Sequence, residues 1–324
     1  MSFFSFGGTG SSCTASISLE GLEERKKVKV AKIKSKGTEM LPLYAALEPI
    51  SGQVSIDIQP GKKVEHSGIK IEAIGSLQLY GENGAVKDKV RFSYLVKELR
   101  SAGTLFQSEK HPFAFDVVER IHETYRGRCI ALRYFLRVTV TKTYGNTVEE
   151  IDYAVENSPV AQIADVPNDP QEGIRMEVGI EDCLHIEFEF DKSKYSLKDV
   201  ILGKIHFVLV RIKIKHMEVA ILRRENAKLG SNVYSNSENM TKFELMDGAP
   251  IKGESIPVRL FLPPLDLSPT YRTIANCASI KYYLNLVLID EEDRRYFKQH
   301  EVTFFRGDGE GQATTASLSP VASF

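Results

Sequence analysis

The residue types that carry out catalysis are present in this chain, but their spacing does not fit an active site. No Gly-x-Ser-x-Gly turn is found, and no His-Glu-x-x-His pair occurs among the histidines. Residues 248–255 have the glycine spacing of a phosphate-binding loop, but Glu254 stands where the phosphate-pairing lysine must be. A carboxylate there would repel a nucleotide. The sequence therefore predicts no enzyme, no cofactor and no metal site. The histidines are His66, His111, His122, His185, His206, His216 and His300.

The cysteines and the main acidic run also have an ordinary structural interpretation. Cys13, Cys129, Cys183 and Cys277 form no Cys-x-x-Cys pair, which favours free buried thiols over a zinc or redox site. The acidic run at 290–293 is followed by two arginines, which is typical of a hydrated turn that neutralises itself. A calcium site is the alternative, although the ligand spacing of an EF-hand loop is missing.

One turn places apolar residues where polar ones are usual. Leu245 and Met246 come directly before Asp247-Gly248 and Pro250, which favour a tight reversal at the surface. The two side chains either fold back onto their own core or wait for a partner. The pattern alone slightly favours folding back, because hydrophobic residues beside turns usually do so.

Alternation of apolar and polar residues predicts strands through most of the chain. Tyr134, Leu136 and Val138 share one face of a strand, and Ile186 and Phe188 share one face of another. The same period of two appears at 54–58, 69–74, 208–214, 258–262 and 282–288, between turn residues. Many short strands without long helical patterns predict an all-β fold of the sandwich class.

Three segments depart from this alternation. The apolar phase switches between Ile214 and Met217, which predicts a β-bulge or strand break at His216. Residues 94–100 show the one short helical pattern. Residues 225–240 are polar and lack periodicity, so we predict a long hairpin loop there.

Length and charge set the domain number and exclude some partners. A chain of 324 residues is long for one sandwich and predicts two cores. A net charge of −1 leaves no global basic field for nucleic acid or an anionic bilayer. No apolar run approaches the roughly 20 residues that span a membrane, and the first residues lack the features of a signal peptide, which favours a cytosolic protein. Prolines near 156–173 predict the domain boundary, which gives domains at 1–165 and 166–306 and a disordered tail at 307–324.

Several of these segments resemble the vacuolar protein sorting 26 family, the arrestin-like subunit of retromer. The resemblance is specific at residues 173–190, 242–262 and 283–299, and looser at 60–69 and 132–136. It implies two arrestin-like β-sandwich domains packed end to end and no catalysis. It further implies assembly with the α-solenoid retromer subunit, recruitment by sorting nexins to endosome membranes, and retrieval of transmembrane cargo to the Golgi or the cell surface. Membrane contact would be peripheral and indirect.

The resemblance also implies roles for individual residues. Leu245 and Met246 match loop residues that dock onto the solenoid, which reverses the slight preference for folding back. Three further residues would shape that loop, and two would belong to a cargo and nexin groove where an extended peptide adds to a strand edge. The loop-shaping residues are Asp247, Gly248 and Pro250, and the groove residues are Val178 and Phe297.

Two other functions remain as alternatives. An α-arrestin that recruits a ubiquitin ligase would carry Pro-Pro-x-Tyr segments, whereas the single Pro-Pro here, at 263, is followed by Leu-Asp. A β-sandwich hydrolase or calcium-dependent lipid binder would need further carboxylates to converge on those around Asp290. The polar insert at 157–170 and the tail leave accessory partners open, and the sequence does not indicate which cargo or sorting nexin is bound.

Overall fold

A computed structural model describes residues 12–32, 37–81, 83–116, 118, 120–156, 173–180 and 183–307. Every regular element in these ranges is a β-strand, which confirms the predicted all-β class. The strands are β1 Cys13–Leu19, β2 Lys27–Ala31, β3 Thr38–Ala45, β4 Ile50–Ile58, β5 Val64–Tyr80, β6 Val86–Leu105, β7 Glu109–Phe115, β8 Tyr125–Arg126, β9 Ile130–Thr141, β10 Thr147–Glu156, β11 Ile174–Ile180, β12 Leu184–Phe190, β13 Lys194–Ser196, β14 Val200–Val210, β15 Ile214–Leu229, β16 Asn232–Asp247, β17 Ser255–Phe261, β18 Tyr271–Ile274, β19 Ala278–Asp290 and β20 Arg295–Phe305.

The strands form two sandwich-like domains, each with a small and a large sheet. In the first, the small sheet has the order β1-β4-β7 and the large one β2-β3-β10-β9-β5-β6, with β8 beside β9. In the second, the small sheet has the order β11-β12-β14-β17 and the large one β13-β20-β19-β15-β16, with β18 beside β19. Apart from the additional strand β2, the large sheets share the same strand order, including one parallel pair each, β3 with β10 and β13 with β20. The topology therefore repeats although the two halves show no aligned sequence repeat.

Each sandwich encloses an apolar core made by the alternation seen in the sequence. Tyr134, Leu136 and Val138 of β9 face the first core, and Ile186 and Phe188 of β12 face the second, as predicted. The second core continues across the junction onto residues of the first domain, which are Leu77, Leu79, Tyr125, Cys129, Ile130 and Leu132. The domains therefore contact each other through apolar as well as polar side chains.

Two of the irregular segments are strands, contrary to the sequence predictions. Residues 94–100 lie in the middle of β6, the outermost strand of its sheet, so the predicted helix is wrong. Residues 225–240 lie in β15 and β16, which are joined at Gly230, so the predicted long loop is also wrong. β6 and β16 are edge strands, which do not need the apolar alternation of an inner strand, whereas β15 lies between β16 and β19 and buries the polar side chain of Glu225.

The irregularity predicted at His216 is confirmed. The pairing of β15 with β19 shifts register between Ile214 and His216, and its pairing with β16 shifts between Met217 and Glu218. The chain also breaks between β14 and β15. Upstream of that break, the alternation at 208–214 predicted that the side chain of Val208 faces the core. Instead, Ile205 and Phe207 face the core and Val208 is exposed.

The predicted boundary lies in part outside the described residues. The first sandwich ends with β10 at Glu156 and the second begins with β11 at Ile174, while the insert at 157–170 and the tail from 308 fall outside the described ranges. The boundary at 165 therefore stays a prediction. Among the described residues, no helix is long and apolar enough to cross a bilayer.

His66 gives the first domain a predictable dependence of stability on pH. It is buried in β5, and neither ring nitrogen has a hydrogen-bond partner among the described residues. Burial, together with the charges of Arg100 and His111, lowers the pKa of His66 below its ordinary value, while Glu109 acts in the opposite direction. The unfolded chain then binds a proton first as the pH falls through about 6.5, so this group costs stability below that pH. Chemical denaturation of wild type and His66→Leu from pH 8 to 5 should show a steeper loss for the wild type. Parallel curves would contradict this.

Candidate functional site

The strongest candidate for a partner surface lies where the edge strand β16 ends. Met246 pairs with Met217 and Glu244 pairs with Glu218, so Leu245 is the extra residue of a β-bulge. β16 is the outermost strand of its sheet, so the backbone edge beside Leu245 has no partner strand among the described residues. A bulge turns a side chain away from its regular position and increases the local twist. The local fold therefore presents an irregular edge carrying two large apolar side chains.

Leu245 and Met246 are neither sealed nor fully exposed. Both are half-buried and pack against the second core, so each leaves part of its surface open to solvent. They belong to the last residues of β16 and not to the following loop, where the sequence analysis placed them. Of the predicted loop-shaping residues, Asp247 is exposed and Pro250 is buried. Pro250 therefore fixes the loop from inside, and Asp247 faces solvent.

Gly248 is required by the backbone at the start of the loop. Its φ of 119° lies in a region that side chains other than glycine rarely adopt, and its amide donates to the carbonyl oxygen of Lys215 at 3.0 Å. Gly248→Ala is expected to lower the free energy of unfolding by about 1–3 kcal/mol through backbone strain. Gly103→Ala is the matched control, because a Cβ there meets nothing within 4 Å and its φ is not positive. Equal melting temperatures for both variants would contradict the assignment.

The loop after β16 exposes an apolar residue that the sequence analysis missed. Ile251 is 74% exposed. Its amide donates to the Glu254 carboxylate at 3.0 Å, and the amide of Glu254 donates back to its carbonyl oxygen at 3.0 Å. Glu254, which stands at the lysine position of a phosphate-binding loop, therefore holds a tight turn. The signal in the sequence was an isoleucine between Pro250 and a Lys-Gly pair.

The acidic run after β19 forms a self-neutralised turn. Asp290 is buried and accepts hydrogen bonds from the amide of Arg294 at 2.9 Å, from the Arg294 side chain at 2.7 Å and from the Tyr296 hydroxyl at 3.0 Å. Burial opposes ionisation, but these hydrogen bonds outweigh it and lower the pKa of Asp290 to about 2. Since its oxygens are already engaged, the arrangement supports the structural interpretation over the calcium site.

The two predicted groove residues lie on neighbouring strands with different exposures. Val178, on β11, is 9% exposed and its side chain belongs to the core, whereas Phe297, on β20, is 67% exposed. β11 is the outermost strand of its sheet, and β13 pairs with β20 only at residues 303–305. Among the described residues, both strands therefore keep a free backbone edge. Since β11 and β20 contact each other, these edges lie on one side of the sandwich.

A small cluster with metal-ligand geometry lies on the outer face of the sheet that contains β11 and β12. Ligand atoms of Glu177, His185 and Glu187 lie within 4.8 Å of one another. Arg175 donates to Glu187 at 3.0 Å, and this hydrogen bond is the largest cause of the lowered pKa of Glu187. The positive charge of Arg175 already balances the negative charge of Glu187, so we interpret the cluster as a group of surface ion pairs.

The sequence analysis also missed a buried carboxylate at the domain junction. Glu225 is fully buried and accepts the Tyr125 hydroxyl at 2.6 Å and the amides of Arg128, Cys129 and Ile130 at 3.1, 2.8 and 3.2 Å. A Cβ at Gly127 would collide with this carboxylate, so glycine permits the close approach. Glu225 thus ties β15 of the second domain to the β8–β9 turn of the first.

Further polar contacts cross the same junction. Arg306 donates to both oxygens of Glu123 at 2.6 and 2.9 Å, and the amide of Glu123 donates to the Tyr271 hydroxyl at 2.9 Å. Arg306 also forms an ion pair with Glu156 at 3.1 Å. The described residues therefore form a hydrogen-bonded contact between the sandwiches that no single sequence segment reveals.

Comparison with known proteins agrees with this architecture. The sequence pattern of the family described as Vacuolar protein sorting-associated protein 26 matches residues 9–293. The chain is 48% identical to the Dictyostelium discoideum protein of that name over 308 residues, which cover 94% of this chain and 85% of the relative. It is 50% identical to the Arabidopsis thaliana protein 26B over 294 residues, which cover 91% and 94%. It is 48% identical to the Homo sapiens protein 26B over 307 residues, which cover 94% and 88%. The chain belongs to the vacuolar protein sorting-associated protein 26 family.

Proposed function

We propose that this protein is a non-enzymatic retromer subunit that binds the α-solenoid subunit and helps to select transmembrane cargo. It would act in the cytoplasm, peripherally on endosome membranes, with sorting nexins as recruiting partners. Family membership supports the retromer assignment. The output of such an adaptor is affinity and not reaction rate, so its function depends on surfaces that bind two partners at once.

The observation that carries this proposal is the separation of two open edges on the second sandwich. In the large sheet, β16 is the outermost strand on one side, while β20 lies towards the other side and is covered by β13 only at its end. A partner at the end of β16 and a peptide beside β20 would contact different edges. Both can therefore bind without competing, which is the requirement for a bridging subunit.

The solenoid surface would consist of Leu245, Met246 and Ile251, framed by Asp247, Gly248 and Pro250. Partner-binding residues usually combine partly exposed apolar side chains with a well-ordered backbone, because little conformational freedom is then lost on binding. The β-bulge at Leu245 and the hydrogen-bonded turn at Ile251 provide such a backbone.

The cargo surface would consist of the open edges of β11 and β20. An extended peptide adds to a strand edge through main-chain hydrogen bonds, and alternate side chains enter neighbouring apolar surface. Phe297 would contact such a side chain directly. Val178 would act through the β11 backbone and through the core beneath it, since its own side chain points inward.

Reconstitution from purified components tests the bridging function. The full chain is mixed with the α-solenoid subunit and a fluorescent, extended apolar cargo-tail peptide, and the species are separated by size-exclusion chromatography. The proposal expects a ternary complex in which each partner binds equally well with and without the other. Mutual exclusion of the two partners, or failure of the solenoid to bind at all, would contradict it.

Phe297→Ser is expected to weaken binding of the cargo peptide at least tenfold and leave the melting temperature unchanged. Losing an exposed aromatic anchor removes about 1.5–2 kcal/mol of contact without opening a cavity in the core. Tyr144→Ser is the matched control, because Tyr144 is 92% exposed and lies on a turn of the first sandwich. Fluorescence anisotropy measures the affinities, and equal weakening by both variants would place the peptide elsewhere.

A further inference from the structure

A large cavity lies on the outer face of the large sheet of the first sandwich. It has a volume of about 790 Å3 and is lined by residues of β3, β5, β6, β9 and β10 and by Lys32. The residues of β5 from Glu72 to Tyr80 are buried on both faces of the sheet. The outer face of a sheet is usually solvated, whereas here the long side chains that line the cavity cover it and form a concave surface. We call this concave surface the sheet groove.

Two largely buried residues on the floor of the sheet groove have a polar atom without a hydrogen-bond partner in the described part of the chain. Ser76 is 4% exposed, and its hydroxyl makes no hydrogen bond with any described residue. Gln78 is similarly buried; its carbonyl oxygen accepts the Tyr80 hydroxyl at 3.0 Å, but its amide nitrogen has no partner within the described ranges. Neither polar atom is sealed from solvent, so both donors face the open space of the sheet groove and are available to a ligand there.

Cationic side chains flank these donors from β6. Lys89 pairs in register with Gln78, and Arg91 pairs with Ser76. Neither cation has a carboxylate or hydrogen-bond partner among the residues described, and the Arg91 guanidinium lies 4.8 Å from the ring centroid of Tyr94. Both therefore keep their hydrogen-bond donors available to a ligand in the groove.

A third cation is fixed in place on the opposite side of Ser76. Arg133 of β9 pairs in register with Ser76 and donates to Asp152 at 2.9 Å and to Glu150 at 3.0 Å. These bonds use Nε and Nη2 and leave Nη1 without a partner in the described part of the chain. The two carboxylates therefore hold the guanidinium rigidly and do not occupy all of its donors, which is the arrangement expected of a preorganised anion site.

The charge balance of the groove indicates the ligand. Its lining holds five cationic side chains and three carboxylates, an excess of two positive charges. A phosphate monoester carries about −1.5 to −2 charges near neutral pH and accepts several hydrogen bonds, which matches the excess and the free donors. The carboxylates on the same wall can accept hydrogen bonds from hydroxyl groups. A ligand that carries both a phosphate and hydroxyls can pair its phosphate with the cations of the lining and its hydroxyls with the carboxylates.

We propose that the sheet groove binds the phosphate group of a phosphorylated polyol, with Ser76, Gln78, Lys89, Arg91 and Arg133 as its donors. The polyol is either the head group of a lipid or a free phosphorylated polyol. A phosphopeptide is less favoured, because Ser76 and Gln78 lie on the face of β5, which is hydrogen-bonded on both sides; the open edge of this sheet belongs to β6, and a peptide paired there would lie beside the groove floor and not on it. The site is on the first sandwich and is independent of the proposed solenoid and cargo surfaces.

Isothermal titration calorimetry of the full chain with myo-inositol 1-phosphate tests the proposal. Saturable binding is expected, weaker at high salt, whereas unphosphorylated myo-inositol should give no heat of binding. Co-sedimentation with phosphatidylcholine vesicles, with and without a phosphatidylinositol monophosphate, distinguishes the two sources. Binding of both the soluble probe and the vesicles identifies a lipid head group, and binding of the soluble probe alone identifies a free polyol.

Lys89→Gln combined with Arg91→Gln should raise the dissociation constant at least tenfold, because two charge-assisted hydrogen bonds are lost. The matched control is Lys97→Gln combined with Lys110→Gln, which removes the same charge from side chains outside the groove. Ser76→Ala should raise the dissociation constant about threefold to tenfold. Melting curves of all variants separate loss of binding from loss of fold.

Three results would overturn the proposal. The first is no binding of myo-inositol 1-phosphate to the wild type. The second is equal weakening by the groove variant and the control variant, which would show that net charge alone attracts the probe. The third is tighter binding of a phosphoserine peptide than of the polyol phosphate, which would reassign the groove to a phosphopeptide.

Discussion

Replacing Leu245 and Met246 together by serine is expected to weaken binding of the α-solenoid subunit at least thirtyfold, or by about 2 kcal/mol. The physical reason is that both side chains lose the apolar surface that they now leave open at the edge of β16. Surface plasmon resonance with immobilised solenoid measures the effect. Since both residues also pack against the core, the same change should cost about 1–2 kcal/mol of stability, so a melting curve accompanies each measurement.

A second variant separates docking from folding. Ile251→Asp changes a side chain that is 74% exposed, so it should weaken solenoid binding at least tenfold without shifting the melting temperature. Val233→Asp is the matched control, because Val233 is 69% exposed and lies at the other end of the β15–β16 ribbon. If both of these aspartate variants bind as the wild type does, and the double serine variant fails only where it unfolds, the surface at the end of β16 is not a docking site.

Replacing Glu225 by alanine is expected to lower the free energy of unfolding by about 3–5 kcal/mol. The change removes the acceptor of the Tyr125 hydroxyl and of three backbone amides, which would then be buried without partners. It also leaves a space in a site that has no access to solvent. The contact joins both sandwiches, so the loss should appear in whichever domain unfolds first.

Glu238→Ala is the matched control for this prediction. Glu238 lies on the adjacent strand β16 and pairs with Arg223 at 2.9 Å, but about a third of its side chain is exposed. Arg223 is only 10% exposed but keeps Glu225 at 3.8 Å, so this variant should cost about 1–2 kcal/mol, clearly less than Glu225→Ala. Denaturant unfolding of both variants at neutral pH provides the measurement. A loss for Glu225→Ala no larger than that for Glu238→Ala would mean that water replaces the carboxylate at the junction.

Strand content was predictable because apolar alternation reports burial directly. The faces of β9 and β12 are as predicted, and the slip at His216 is confirmed because a shift of one residue reverses every later side chain. The same rule failed at the sheet edges. Residues 94–100 and 232–240 lie on the edge strands β6 and β16, which meet solvent and carry no regular apolar signal. Residues 225–229 lie on the inner strand β15, where the buried Glu225 interrupts the apolar pattern.

The candidate sites were predictable only in part. The unusual pair Leu245 and Met246 stood out from the turn signals that follow it, but its half-buried state depends on the β-bulge opposite Met217. Resemblance pointed equally to Val178 and Phe297, whereas the fold turns the first inward and the second outward. Alternation within one strand does not decide which of two sheets covers a given face.

The amino-acid sequence alone determined the all-β class, the number of cores and the family, because these follow from local periodicity, chain length and matched segments. Only the tertiary structure decided which polar groups are buried. Glu225 meets amides about a hundred positions away, and Ser76 lies between Arg91 and Arg133 because three strands pair in register. Burial and charge pairing depend on neighbours brought together from distant segments, and no local pattern records those neighbours.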